Sequence, residues 1–188
     1  MKRRILLFLL TAVLITTAFL SSCGYNEPEQ AAADLLDDCI ACQTDAVAAV
    51  MGYDILALTD IEQYTLTRMK YNIVGSTQLD QHRWDVTFDT ELFDIMNLLN
   101  EALVFSLMAD AEQPDASRYV LQKLNTEEAA RANFRAVLPM ICAPDGTWSV
   151  DTARIGDDVR DAVSGGAYSW YAAYRETFEA EDTTAPTP

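Results

Sequence analysis

Histidine occurs once in the 188 residues, at His82, and basic side chains number 13 against 29 acids, a formal net charge of −16. A surface with that surplus of negative charge is repelled by phosphate backbones and by anionic lipid headgroups, so nucleic acid is not expected as a partner. The chain also lacks Gly-x-Ser-x-Gly, His-Glu-x-x-His and a phosphate-binding glycine loop, the local arrangements that mark many hydrolases, zinc proteases and nucleotide-binding enzymes. Four cysteines are present, and those beyond Cys23 show no zinc-ligand spacing with His82. The acids are numerous, but none follows the order of a calcium loop, and they read as solvated surface. No metal, no cofactor and no internal repeat is expected.

The first residues are of a different kind. Lys2, Arg3 and Arg4 precede an apolar run from Ile5 to Leu20, interrupted only by Thr11, Thr16 and Thr17. A charged segment followed by a short apolar one has the form of an export signal, and a membrane anchor needs about 20 apolar residues, more than this run supplies. The run ends in Leu20-Ser21-Ser22-Cys23, which resembles the lipobox of bacterial lipoproteins. That resemblance implies a signal peptide over 1–22, cleavage before Cys23, a lipid on that cysteine and an extracytoplasmic protein anchored to a membrane. Without Lys2, Arg3 and Arg4, ten basic residues face all 29 acids, a charge of −19. About 165 residues then remain, enough for one domain with a sizeable core.

Residues 23–30 are polar, include Pro28 and read as a tether. Residues 179–188 are acidic and then rich in Thr and Pro, which predicts a disordered tail. Between them, 31–178 forms the expected domain. Leu36, Ile40, Val47 and Val50 recur at helical spacing, predicting one amphipathic helix from Ala31 to Met51. The pattern breaks around Gly52 and Thr59, with a short helical turn expected over Asp60–Tyr64. Met69, Tyr71 and Ile73 then alternate with polar residues, and so do Trp84, Val86 and Phe88 after the polar stretch 78–81, which predicts a hairpin. Thr90 is the expected cap of a helix running to about Ala109, with Glu91 and Asp94 in its first turn. Phe93, Ile95, Leu98, Val104, Phe105 and Met108 widen its apolar stripe beyond one face. Short helix is expected within Pro114–Arg131, and a strand over Phe134–Cys142 in which Pro139 marks an edge or bulge. Pro144-Asp145-Gly146 predicts a turn into a strand with Trp148 and Val150, and Ile155–Phe178 is helical with a break at Gly165-Gly166.

Trp84-Asp-Val-Thr-Phe-Asp89, where a strand leads into a helix, and Asp145-Gly-Thr-Trp-Ser-Val-Asp151, where a turn precedes a tryptophan, resemble small bacterial lipoproteins with a cystatin-like (nuclear transport factor 2-like) domain, over most of Ala31–Asp151. The fold implied is α+β: a cystatin-like cone, with a long N-terminal helix packed on a curved antiparallel sheet, an inserted apolar helix and C-terminal helices. Function follows weakly from that cone, which serves enzymes, binding modules and assembly domains alike.

Cys39 and Cys42 form a Cys-x-x-Cys inside the expected first helix, behind Asp34, Asp37 and Asp38, whose charge opposes a thiolate. They read as small buried residues, with Cys142 able to bridge to the first helix in an oxidising exterior. Asp85 and Tyr71 could serve a carboxylate-based isomerase of the cone type, but alternation directs Asp85 away from the face of Trp84 toward solvent. Aromatics are the remaining signal. Trp84, Phe93, Leu98, Phe105, Trp148 and Trp170 are the candidate pocket or interface residues, and the cluster Tyr168–Tyr174 is expected in part at the mouth of the cone. The function expected is a non-catalytic binding or assembly module for a small ligand, a peptide or an envelope protein. The alternative is an isomerase or hydrolase using the pocket.

Overall fold

The computed structural model describes residues 26–108 and 116–182, with side chains through residue 175. The expected signal peptide, Cys23 and Pro114 lie outside the described residues. The fold is α+β: among the described residues, seven α-helices accompany a four-stranded antiparallel sheet of order β1-β2-β3-β4.

Helix α1 spans Glu27–Ile40. Asn26 accepts from the Glu29 N–H at 3.0 Å while the Asn26 N–H donates to Glu29 Oε2 at 3.2 Å, a reciprocal cap. The helix therefore takes in the last four residues of the expected tether, and Pro28, at its start, is buried. The single helix predicted over Ala31–Met51 is two helices. Helix α1 stops at a turn in which Gln43 N–H donates to Asp38 O and Cys42 N–H to Cys39 O, with Cys42 in left-handed conformation at φ 57°. That is a Schellman cap, commonly closed by glycine and here by cysteine. Helix α2 follows over Thr44–Met51. Residues 41–43 leave the apolar phase of the two helices unchanged, so periodicity alone did not reveal the break. Gly52, at φ 77°, ends α2.

Helix α3 spans Asp60–Leu66, capped by Thr59 and Glu62. Strands β1 (Lys70–Gln78) and β2 (Arg83–Phe93) form the predicted hairpin, with a register shift between Ile73 and Gly75. Thr90 lies within β2 and is no helix cap: its hydroxyl donates to Ala162 O at 2.9 Å. Glu91 is also a strand residue, paired with Lys70 and Arg131. Alternation carries Leu92 into the sheet and Phe93 to the opposite side, so the strand outruns the helix start that Thr90 suggested. Asp94 is the cap, accepting from the Asn97 N–H at 2.9 Å, and α4 spans Ile95–Met108.

Helix α5 (Ala116–Asn125) leads to β3 (Arg131–Cys142) and β4 (Trp148–Val150). Pro139 pairs with Asp85, and its carbonyl accepts from the Asp151 N–H at 2.8 Å. Strand β3 is interior to the sheet and its register with β2 runs unbroken through Pro139, so the expected edge or bulge is not found; the missing donor is tolerated because it lies on the side where β4 ends after Val150. Helices α6 (Asp157–Ser164) and α7 (Ala167–Asp182) are separated by Gly165 and Gly166, both at positive φ. Helix α7 reaches Asp182, through the first four residues of the predicted disordered tail.

One sheet face carries Val86, Phe88, Leu92, Leu138 and Met140, all buried against α1, α2 and α6 in the principal core. Helix α1 touches every strand. A second cluster holds Phe93, Ile95, Leu98, Ala102, Val120 and Leu124 beneath α4 and α5. The outer face is polar where Asp89 and Arg135 pair through two bonds of 2.6 and 2.8 Å.

Candidate functional site

The two apolar clusters do not close upon each other, and a cavity of about 970 Å³ occupies the seam. Val47 and Met51 of α2, Leu66 of α3 and Val163 of α6 belong to the principal core and form one wall. Ile95 and Leu99 of α4 belong to the second cluster, and with Leu121 of α5 they form the other. Helix α7 contributes Tyr168, Tyr171, Ala172 and Arg175 at spacings of three, four and seven, one helical face, together with Tyr174. Tyr53, Asp60 and Glu62 also line the cavity, as do the hydroxyl residues Thr59, Thr65, Ser117 and Ser164. Tyr53, Tyr171 and Tyr174 are large side chains left exposed, Tyr53 at 52 %.

The polar groups at this site are largely engaged by the protein itself. Glu62 Oε2 accepts from the Thr59 N–H at 2.7 Å and hydroxyl at 2.8 Å. The Thr65 hydroxyl donates to Ile61 O at 2.8 Å, and Ser164 Oγ accepts from the Tyr168 N–H at 3.1 Å. Arg160 ties α6 to its surroundings: it donates to Met51 O at 3.1 Å, to Asp157 at 2.7 Å and to the Tyr168 hydroxyl at 3.2 Å. Partial burial, and then the negative charge of Glu62, push the Tyr53 hydroxyl above its ordinary range, so it is a neutral donor at physiological pH.

The residues singled out in the sequence lie elsewhere in the fold, or beside this cavity. Trp84 and Trp148 meet edge to face at 6.5 Å at the opposite end of the sheet, and Trp148 Nε1 donates to Glu27 at 3.4 Å. Phe93 and Leu98 are buried in the second cluster. Phe105 stacks on Tyr119 at 4.9 Å and lines a shallow surface hollow with Asn100, Glu101 and Val104. Trp170 donates to Asn100 Oδ1 at 2.8 Å and stacks on Tyr174 at 5.1 Å, joining α7 to α4 on the flank of the cavity. Of the aromatic cluster, Tyr168, Tyr171 and Tyr174 line it. Sequence reasoning missed Tyr53, Leu99 and the face of α3. The spacing of Tyr168, Tyr171 and Arg175 was the one available signal, and what it faces depends on five other helices.

The apolar breadth of α4 divides along its length. Ile95 and Leu98 are buried, as is Phe93, which belongs to β2, whereas Val104, Phe105 and Met108 are exposed, as are Leu103 and Leu107, the last at 79 %. Cys39 lies in the last turn of α1 and Cys42 in the turn that follows, so only the first of the pair is inside a helix, and none of Cys39, Cys42 and Cys142 is bridged. Burial first, then the charge of Asp38, pushes the Cys39 thiol up to about 12, and burial raises Cys42 too. Asp85 lies on the face opposite Trp84, where it pairs with Arg154 at 2.9 Å rather than standing free in solvent. His82 lies in the hairpin turn, its N–H donating to Asp80. Among the described residues, no three His, Cys, Asp or Glu side chains gather as a metal site, and no helix is long and apolar enough to cross a membrane.

No protein-family model matches the chain, and no similar curated protein or solved structure was found. The seam cavity is thus characterised by its own chemistry: aliphatic walls, a phenolic rim, and carboxylates held at a helix start instead of facing each other across the space.

Proposed function

We propose that this chain is a membrane-anchored lipoprotein of the cell envelope whose folded part is a non-catalytic binding module, with the ligand held in the seam cavity. The cavity carries the reading. Ligand pockets run from about 300 to 1,000 Å³ and are mostly apolar with a few placed polar groups, and this one matches that description at the upper end. The isomerase or hydrolase alternative needs a carboxylate and a donor converging on the ligand. Glu62 is held by Thr59 in the cap of α3, and Asp85 is paired with Arg154, which favours binding over chemistry.

The cystatin-like cone belongs to the same proposal. It is supported by α1 lying against all four strands and by α4 and α5 standing between β2 and β3. The break at Cys42 departs from the single long helix of that form. The anchor is supported by the order of basic segment, apolar run and Leu20-Ser21-Ser22-Cys23.

Native mass spectrometry of the full chain extracted in mild detergent tests the binding module. A non-covalent small-molecule adduct is expected, and it should be lost when Ala172→Trp fills the cavity. Turnover of ester or ketone substrates, abolished by the same substitution, would instead establish the enzyme. Metabolic labelling with a fatty acid tests the anchor: the native chain should be labelled and Cys23→Ala should not.

A further inference from the structure

We infer that the cavity receives an amphiphile with a hydrocarbon body and a neutral or zwitterionic head; this rests on the binding-module reading and specifies its ligand. The walls decide the body. Val47, Met51, Leu66, Ile95, Leu99 and Val163 present only aliphatic surface. Of the hydroxyl residues in the lining, Thr65 and Ser164 are engaged with backbone groups, Thr59 donates to Glu62, and Ser117 lies at the exposed end. No buried side-chain nitrogen or oxygen lacks a partner among the described residues. A ligand group that left water for this interior would find little to bond with, at a cost of about 1–3 kcal/mol for each unsatisfied donor or acceptor. A peptide brings a donor and an acceptor with nearly every residue and is therefore a poor occupant. A hydrocarbon brings none.

The rim decides the head. Tyr53, Tyr171 and Tyr174 line the cavity and remain exposed, so their phenol groups stand between the aliphatic interior and water, while Tyr168 lies deeper with its hydroxyl held by Arg160. Charged residues at the lining are Asp60 and Glu62 against Arg175, and the chain as a whole is strongly negative. An anionic carboxylate head meets that field unfavourably. A hydroxylated head is indifferent to it, and a zwitterion can turn its cation toward Asp60, Glu62 and the tyrosine faces.

Photocrosslinking of the full chain in membranes tests this, because bulk partitioning of the probe does not imitate labelling of one cavity. Four diazirine-bearing probes are used: lysophosphatidylcholine, a sterol, palmitate and an apolar peptide. Adducts of the first or second should map by mass spectrometry to α2, α4 and α7 around the cavity, and chain against ring then distinguishes the source of the hydrocarbon. Ala172→Trp, or Ser117→Trp at the exposed end of the lining, should reduce that labelling at least about tenfold, and palmitate should label about tenfold less than the better probe. Labelling scattered over the surface, labelling insensitive to both substitutions, or equal labelling by palmitate would overturn the inference. If a diazirine apolar peptide labels the cavity and the amphiphiles do not, the ligand class is wrong while the binding module stands. If neither labels it, both fall.

Discussion

Cys39 shows how one buried position can rule out a chemistry that its motif suggests. It is wholly buried in the last turn of α1, where the helix dipole and Asp38 both disfavour a thiolate. In the native state it should resist iodoacetamide at neutral pH and react promptly in urea, with Cys42 the faster of the two; rapid native alkylation of Cys39 would contradict its burial. The pH dependence has a definite sign. The folded thiol titrates near 12 against an ordinary value of 9.0, so this residue's contribution is intact below about pH 9 and declines as pH rises toward 12, because the unfolded chain ionises first. Urea melts at rising pH should show a loss that Cys39→Ala reduces. Three aspartates have the opposite sign. The backbone N–H groups of His82 and Arg83, with the Arg83 side chain, hold Asp80 below its usual range, Arg135 does so for Asp89 and the Thr147 N–H for Asp145. Their stabilisation is present above the ordinary carboxylate pKa and lost as pH falls, and NMR titration should find all three below the usual aspartate midpoint.

At the scale of elements, helix ends account for much of what periodicity concealed. Cys42 closes α1 at φ 57°, a conformation that costs an ordinary L-residue about 1–2 kcal/mol. Cys42→Gly should therefore be neutral or stabilise by up to about 1 kcal/mol in chemical denaturation, less whatever packing the thiol supplies. Gly165 is the reverse case. A Cβ there would lie 2.3 Å from Phe93 O at φ +68°, so Gly165→Ala should cost more than about 2 kcal/mol and lower the unfolding midpoint. The fully buried residues of α4, Ile95, Leu98 and Ala102, all precede Leu103, whereas the large apolar residues from Leu103 on are exposed, and mutation should read the division. Leu98→Ala should cost about 2–5 kcal/mol, whereas Val104→Ser and Met108→Ser should each change stability by no more than about 0.5 kcal/mol. Equal costs at both ends would mean that the second half is covered.

For the molecule as a whole, the cavity is the consequence of two cores sharing one strand. Leu92 enters the principal core and Phe93 the second, and Gly165 seats the start of α7 against that junction. This continuity predicts one cooperative transition despite the seam. Fluorescence of a Trp84→Phe, Trp148→Phe variant, reporting Trp170 alone, should follow the same urea curve as far-ultraviolet dichroism. Separate midpoints would show that the clusters unfold independently.

The α+β class, both hairpins and the break at Gly165-Gly166 were legible in the sequence because each is a local matter of side-chain alternation or permitted φ. The apolar excess of α4 was legible too, but not its division, since exposure depends on where α5 and α7 end. The cap at Asp94 was obscured because Thr90 offers the same local chemistry, and only pairing with β3 through Phe93 keeps Thr90 in the sheet. The break at Cys42 was obscured because it preserves the phase of the apolar face. The cavity could not be read from the chain at all. Its walls come from residues between Val47 and Arg175, and aliphatic side chains carry the same local signature whether they meet one another or enclose a space; only the packing of six helices decides which.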